Sequence, residues 1–264
     1  MFPYPDNVGI IIPVSKVSTN IDLTDLDLKN TIITVYGLPS TGKGTLSKII
    51  AKKLNLPVFD TGVLYRVVTL FLTSQNLEVS DDSISGFRSN LDLVLKDGKI
   101  TTELFGSELK NTQIRNPEID KKMGDFTKLP IVRAVVDELI AGFVLKSSFV
   151  TDGRGAFDGY LVQAESQGIK VIRVLLQAQQ NERIRRRFID YLSLERGKEL
   201  SSKDVENLWK KCEEVVKYRD EEEVLKDKTL GLGMISEDSG ILDTTNLSIE
   251  EASEAVLGWV KSSC

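Results

Sequence analysis

Residues 31–36, TIITVY, are followed by the stretch that constrains this chain most: Gly37-Leu38-Pro39-Ser40-Thr41-Gly42-Lys43-Gly44-Thr45. The β-branched run predicts a buried strand. Behind the glycine-bearing turn, Leu46, Ile49, Ile50 and Leu54 recur at helical spacing over residues 43–54. Glycines between a strand and a helix let backbone N–H groups curl round an anion without Cβ clashes, and the helix N-terminus adds favourable dipole charge. A lysine at the end of such a turn completes a phosphate loop in the context that motif requires. Gly37, Leu38, Pro39, Ser40, Thr41, Gly42, Lys43, Gly44 and Thr45 are therefore expected to hold ATP, with Lys43 reaching its β- and γ-phosphates. The residue after Lys43 is Gly44, so the hydroxyl comes one place later than in the general pattern. Contact between Thr45 and Mg²⁺ is accordingly expected through water.

Strand and helix signals go on alternating beyond the loop. Strands are predicted at 57–59, 148–151, 170–176 and 241–242, and helices at 63–72, 131–144, 180–194 and 203–217. Ser248-Ile249-Glu250-Glu251 is a capping box opening a last helix. Such alternation predicts an α/β three-layer sandwich whose parallel sheet is covered on both faces. Residues 75–116 break the pattern: 91–95 and 100–104 flank the turn signal Lys96-Asp97-Gly98-Lys99, and Glu108-Leu109 offers a third short strand. A small antiparallel lobe is thus expected as an insert at about 75–130. Residues 219–239 are charged and carry glycines, which suits a mobile loop, and a lid is placed at about 215–238. Residues 1–30, interrupted by Pro3, Pro5 and Pro13, read as an extension lying on the surface of the 31–264 domain, with at most a short strand around 10–12.

Composition removes several classes of function. The 264 residues include no histidine, which sets aside Ser-His-Asp hydrolysis, imidazole acid–base chemistry and most zinc sites. A formal charge of −5 argues against general nucleic-acid binding, which needs a basic face. No apolar run approaches membrane length, and the acidic first thirty residues do not resemble a secretory signal. Two cysteines, Cys212 and Cys264, fit a reducing compartment. A cytoplasmic monomer acting on nucleotides is expected.

Asp60-Thr61-Gly62-Val63-Leu64-Tyr65-Arg66 follows the second strand, and together with the phosphate loop it resembles the cytidylate kinases, a branch of the nucleoside monophosphate kinases. Further matches come in the family's order: residues 116–133 ending Leu129-Pro130-Ile131-Val132-Arg133, then Asp152-Gly153-Arg154, Glu182-Arg183-Ile184-Arg185-Arg186-Arg187, Arg219-Asp220, and residues 242–251. The resemblance covers roughly 31–262. It implies phosphoryl transfer from ATP to CMP or dCMP. Arg66, Arg154 and Arg219 match positions that hold the acceptor phosphate, and Arg133 one near the base; arginine forks suit that phosphate geometry. Asp60, Thr61 and Tyr65 fall within the acceptor segment, with Asp60 also able to cap the helix behind it. Lys43 and Arg219 would stabilise the transferring group, Arg219 on lid closure, while water is excluded. Asp152, at a strand end beside the loop, is assigned to Mg²⁺ through water, and Arg183 and Arg187 to a place over ATP. No protein base is required, because the acceptor phosphate oxygen is itself a nucleophile.

The chain departs from the family where the base is read. Gly155 stands where an acidic residue usually follows D-G-R, and Gly124 where a serine is expected. In the lid, Glu223 and Lys226 keep the family's charges and change their reach. A small-molecule kinase on the same scaffold, or a nucleotide-binding protein without turnover, are the competing readings. A GTPase is disfavoured, since no N-K-x-D guanine-reading motif occurs.

Overall fold

The computed structural model describes residues 9–14, 21–24, 26–97, 99–114, 117–144, 148–153, 159–194, 200–230 and 236–264. Arg154 and Gly155 lie outside these residues, as does Gly98 of the hairpin turn; Glu223 and Lys226 are described in backbone only. In chain order the elements are β1 (Ile10–Ile11), β2 (Thr31–Gly37), α1 (Lys43–Lys53), β3 (Val58–Asp60), α2 (Gly62–Ser74), α3 (Asp81–Ser89), β4 (Leu91–Lys96), β5 (Lys99–Leu104), β6 (Ser107–Glu108), α4 (Asn111–Ile114), α5 (Pro117–Phe126) and α6 (Pro130–Val144). There follow β7 (Phe149–Asp152), α7 (Gly159–Ser166), β8 (Lys170–Gln177), α8 (Gln180–Leu194), α9 (Ser202–Leu230), β9 (Gly240–Asp243) and α10 (Ile249–Ser263).

The strands run in the order β1-β9-β8-β2-β7-β3-β5-β4. From β1 to β3 every pairing is parallel. Among the described residues, the antiparallel lobe of β4, β5 and β6 joins this sheet through one pair, Val58 with Lys99. All seven residues of β2 are buried, as a strand covered on both faces requires. Ile32 points to a core shared with Leu64 and Val68 of α2, Val136 of α6 and Leu161 of α7. Ile33 and Val35 point to the other face, against Leu46 and Ile50 of α1 and Val256 and Val260 of α10. Two helical layers therefore sandwich the sheet. The capping box of α10 forms in both directions, Ser248 Oγ accepting from the Glu251 N–H and Glu251 Oε2 from the Ser248 N–H.

Two local expectations need correction, and one unassigned stretch acquires structure. Ile10 and Ile11 do not simply rest on the surface: they pair with Gly240 and Ile241 as an edge strand, and Ile12 behind them is buried. Residues 81–89, for which no element was expected, are helical. Ser80 caps this α3 reciprocally with Ser83, and its Ile84 and Phe87 drop into the core. Residues 219–230 are not a loop but the last turns of α9, a helix of 29 residues free of glycine and proline. Its Lys210–Glu206 and Lys217–Glu213 pairs support it at i,i+4. Among the described residues, no helix is long and apolar enough to cross a membrane.

Candidate active site

Parallel pairing brings the C-terminal ends of β2, β7 and β3 to one edge of the sheet, where open α/β folds place their ligands. Gly37 closes β2 with φ near 137°, and a Cβ there would stand 2.2 Å from the Leu176 carbonyl oxygen of β8. Only glycine fits so close an approach. The loop behind it passes through Ser40 at φ 62° and Gly42 at φ 100°, the N-cap of α1. Thr41 Oγ1 donates to the Leu38 carbonyl at 2.8 Å. Lys43 Nζ donates to the carbonyls of Gly37 at 2.7 Å and Leu38 at 2.9 Å. Leu38 and Thr41 are buried and brace the loop from within, while its glycines, Pro39, Ser40, Lys43 and Thr45 line a cleft of about 710 Å³.

Across that cleft stand two carboxylates. The β3–β7 register sets Asp60 beside Asp152 at the strand ends. Burial, and then the charge of Asp60, push the Asp152 carboxyl up to about 7, with Lys43 and Lys48 pulling the other way. Asp152 Oδ1 is buried with no hydrogen-bond partner. Thr61 Oγ1 donates to the Asp152 carbonyl at 3.1 Å, and Asp60 Oδ1 accepts from the Gly62 N–H at 3.0 Å, so Asp60 both caps α2 and lines the cleft.

Arg66 of α2, Arg187 of α8 and Arg219 of α9 approach the same space from three sides. With Lys43 and Lys48 they make five cations against the three carboxylates of Asp60, Asp152 and Asp190, an electropositive cleft in an acidic chain. The Arg187 guanidinium also lies over the Tyr191 ring, 4.9 Å from its centroid. Tyr65 packs against the core on the α2 side, and neither it nor Arg133 of α6 lines the cleft. Arg183, expected over ATP, is buried instead: it donates to the carbonyls of Ala178 and Pro39 and grips Asp220 with both terminal nitrogens.

Two groups escaped the sequence reading. Arg186 donates to the Thr41 carbonyl at 3.1 Å and to Thr244 Oγ1 at 3.0 Å, tying the loop to the end of β9. Residues 183, 186, 187 and 190 share one face of α8 by their i, i+3, i+4, i+7 spacing, a signal that points to Arg186 and Asp190 as readily as to Arg187. Lys48 lines the cleft four places after Gly44, whose own Cβ would stand 3.4 Å from Asp152 Oδ2. Helical spacing aims both residues at that carboxylate.

A phosphate loop at the end of a central parallel strand, under a cleft edged by arginines, defines a P-loop kinase-type α/β protein. The chain belongs to the cytidylate kinase family, whose profile matches residues 33–262. It is 32% identical over 223 residues to the cytidylate kinase of Carboxydothermus hydrogenoformans, covering 83% of this chain and 92% of the relative. With the cytidylate kinase of Thermosipho melanesiensis it shares 31% over 232 residues, 88% of this chain and 97% of the other. It also aligns with the crystal structure of a putative kinase from Chloroflexus aurantiacus, at 15% identity and a TM-score of 0.43 over 89% of this chain and 98% of that one.

Proposed function

We propose that this protein transfers the γ-phosphoryl group of ATP to CMP or dCMP, giving the diphosphate and ADP. The observation that carries it is the convergence of Lys43, Arg66, Arg187 and Arg219 from four elements on one cleft beside the phosphate loop. Two polyanions repel each other, and fixed cations on several sides offset that repulsion while aligning donor and acceptor. The loop holds the ATP phosphates. Arg66 takes the acceptor phosphate, joined by Arg154 and Arg219 as the resemblance implies, and Glu223 and Lys226 of the lid segment contribute to the acceptor side. Lys43 and Arg219 follow the charge of the transferring group. Asp60 and Thr61 shape the acceptor side, and Tyr65 and Arg133, which do not line the cleft, belong to it only as the resemblance implies.

Mg²⁺ fits beside Asp152, whose buried Oδ1 has no protein partner and whose carboxyl gains its charge near neutrality. Asp152 and Thr45 would hold the ion through water, with phosphate oxygens filling the rest of its shell. When bound, the ion supplies charge neutralisation on the phosphates. Met123 and Gly124 of α5, Thr127 just beyond it, and Tyr218 and Arg219 of α9 line the cleft, and we assign the first three to an insert at about 75–130 and the last two to a lid at about 215–238. A monomer is part of this reading. The free cysteines, Cys212 and Cys264, suit the cytoplasm.

Measuring ADP formation with ATP, Mg²⁺ and each of CMP, dCMP, UMP, AMP and GMP tests the assignment. The highest kcat/KM is expected with CMP or dCMP, and no diphosphate from any monophosphate would end it. A changed acceptor preference is the second reading, favoured by Gly124. This residue lines the cleft, and nothing lies within 4 Å of where its Cβ would be. Gly124→Ser should fold at least as well, since serine is the better helix former by about 0.5 kcal/mol. One added hydrogen bond should raise the CMP-over-UMP ratio of kcat/KM by about 2- to 10-fold. An unchanged ratio would mean that α5 does not read the base.

A further inference from the structure

We infer that Arg183 and Asp220 are positioning residues, a clamp that orients α9 so that Arg219 faces the cleft and that ties this orientation to the phosphate loop. The inference rests on the transferase role just proposed for Arg219. Arg183 Nη1 donates to Asp220 Oδ1 at 2.7 Å and Nη2 to Oδ2 at 2.6 Å, with the two side chains 4% and 16% exposed. A two-point fork of this kind fixes direction as well as distance. The same guanidinium reaches back to the Ala178 carbonyl at 3.1 Å and to the Pro39 carbonyl of the loop at 3.3 Å. Gln180 Nε2 adds a 3.3 Å contact to Asp220 Oδ2. One planar group thus touches the turn between β8 and α8, the loop and the lid helix.

Adhesion between α8 and α9 does not require this pair. Ile184, Cys212 and Val216 already form an apolar seam there, with Phe188 and Tyr191 packed on it. A charge pair taken out of water adds little net stability compared with apolar residues of similar size, so what it contributes is geometry. Asp220 lies one turn beyond Val216 on the same helix face and sets the rotation of α9 about its axis. Arg219, the next residue back, lines the cleft. Among the described residues the exposed pair Lys217–Glu213 has no such link to the loop.

A kinetic double-mutant cycle on the full chain, with ATP, Mg²⁺ and CMP, tests the clamp. Asp220→Asn should lower kcat about tenfold or more, since a misplaced reacting group costs rate more than binding. The Kd for ATP by calorimetry should stay within about twofold. In an Arg219→Ala background the same substitution should change kcat by less than about twofold, because there is no longer an arginine to place. Arg183→Lys, which keeps the charge and loses the fork, should repeat the pattern more mildly; it carries the cycle if Asp220→Asn does not fold. Equal losses in both backgrounds would make the pair merely structural and overturn the inference, as would an unchanged kcat for both single variants. An unchanged kcat for Arg219→Ala would remove the clamp's purpose while leaving the transferase assignment standing. Absence of diphosphate formation by the unaltered protein would overturn both.

Discussion

Asp152→Asn is expected to cut kcat by about a hundredfold or more while making the nucleotide-free protein more stable at pH 8. The two effects share one cause. Burial and the neighbouring Asp60 raise the Asp152 carboxyl from 3.8 to about 7, so the fold holds this proton more tightly than the unfolded chain does. The group's stabilising contribution is complete below about pH 4 and is lost as pH rises through about 7. Above that, the native state carries a poorly solvated charge, a cost of at most about 4 kcal/mol at the extreme of the shift. Asparagine is neutral at every pH and escapes it. Urea denaturation without nucleotide or metal should therefore show little difference between variant and parent at pH 4, and a clear advantage for the variant at pH 8. Equal stabilities at both pH values would mean that Asp152 is not held in the environment described, and a variant with full turnover would remove it from the chemistry.

Lys43→Ala should reduce kcat by about a thousandfold while leaving the fold in place. The ammonium sits 2.7 and 2.9 Å from the carbonyls of Gly37 and Leu38, at the mouth of the loop, where a swing of its flexible stem carries it toward bound phosphate. No other lysine of the loop could substitute, and Lys48 approaches from a different turn of α1. Losing two hydrogen bonds should cost only about 1–3 kcal/mol of stability, so circular dichroism and a modestly lowered Tm will report a folded protein. A folded Lys43→Ala variant with parental rates would move the active site elsewhere.

The loop was legible because strand, turn and helix signals are contiguous there, over residues 31–54. The partnership of Asp60 and Asp152 was not. These residues are far apart in the chain and meet only because β7 lies between β2 and β3, a strand order that no local pattern specifies. Arg183 and Arg187 illustrate the same limit. Both belong to one run of charges, yet one is buried against a carbonyl of the loop and the other reaches the cleft. Periodicity identifies the helix face; only the packing of α9 decides which arginine on it is covered. The lid helix was misread for the opposite reason. Residues 219–230 are so charged that they look like loop, although nothing in them breaks a helix and α9 simply continues through.

The two carboxylates at the strand ends owe their meeting to residues with no chemistry of their own. Val58 is matched with Val150 and Phe59 with Thr151, and the Phe59 ring stands edge-on to Phe149, 6.4 Å between centroids. Side chains alternate along a strand, so a slip of one place would set Phe59 or Thr61 opposite Asp152 and turn the whole of β3 inside out. Hydrophobic fit over three residues is thus the proofreader of the reaction centre: a chain that mispairs here also loses its core, and a folded molecule with a wrongly assembled site is excluded by the same oil-and-water balance that folds it.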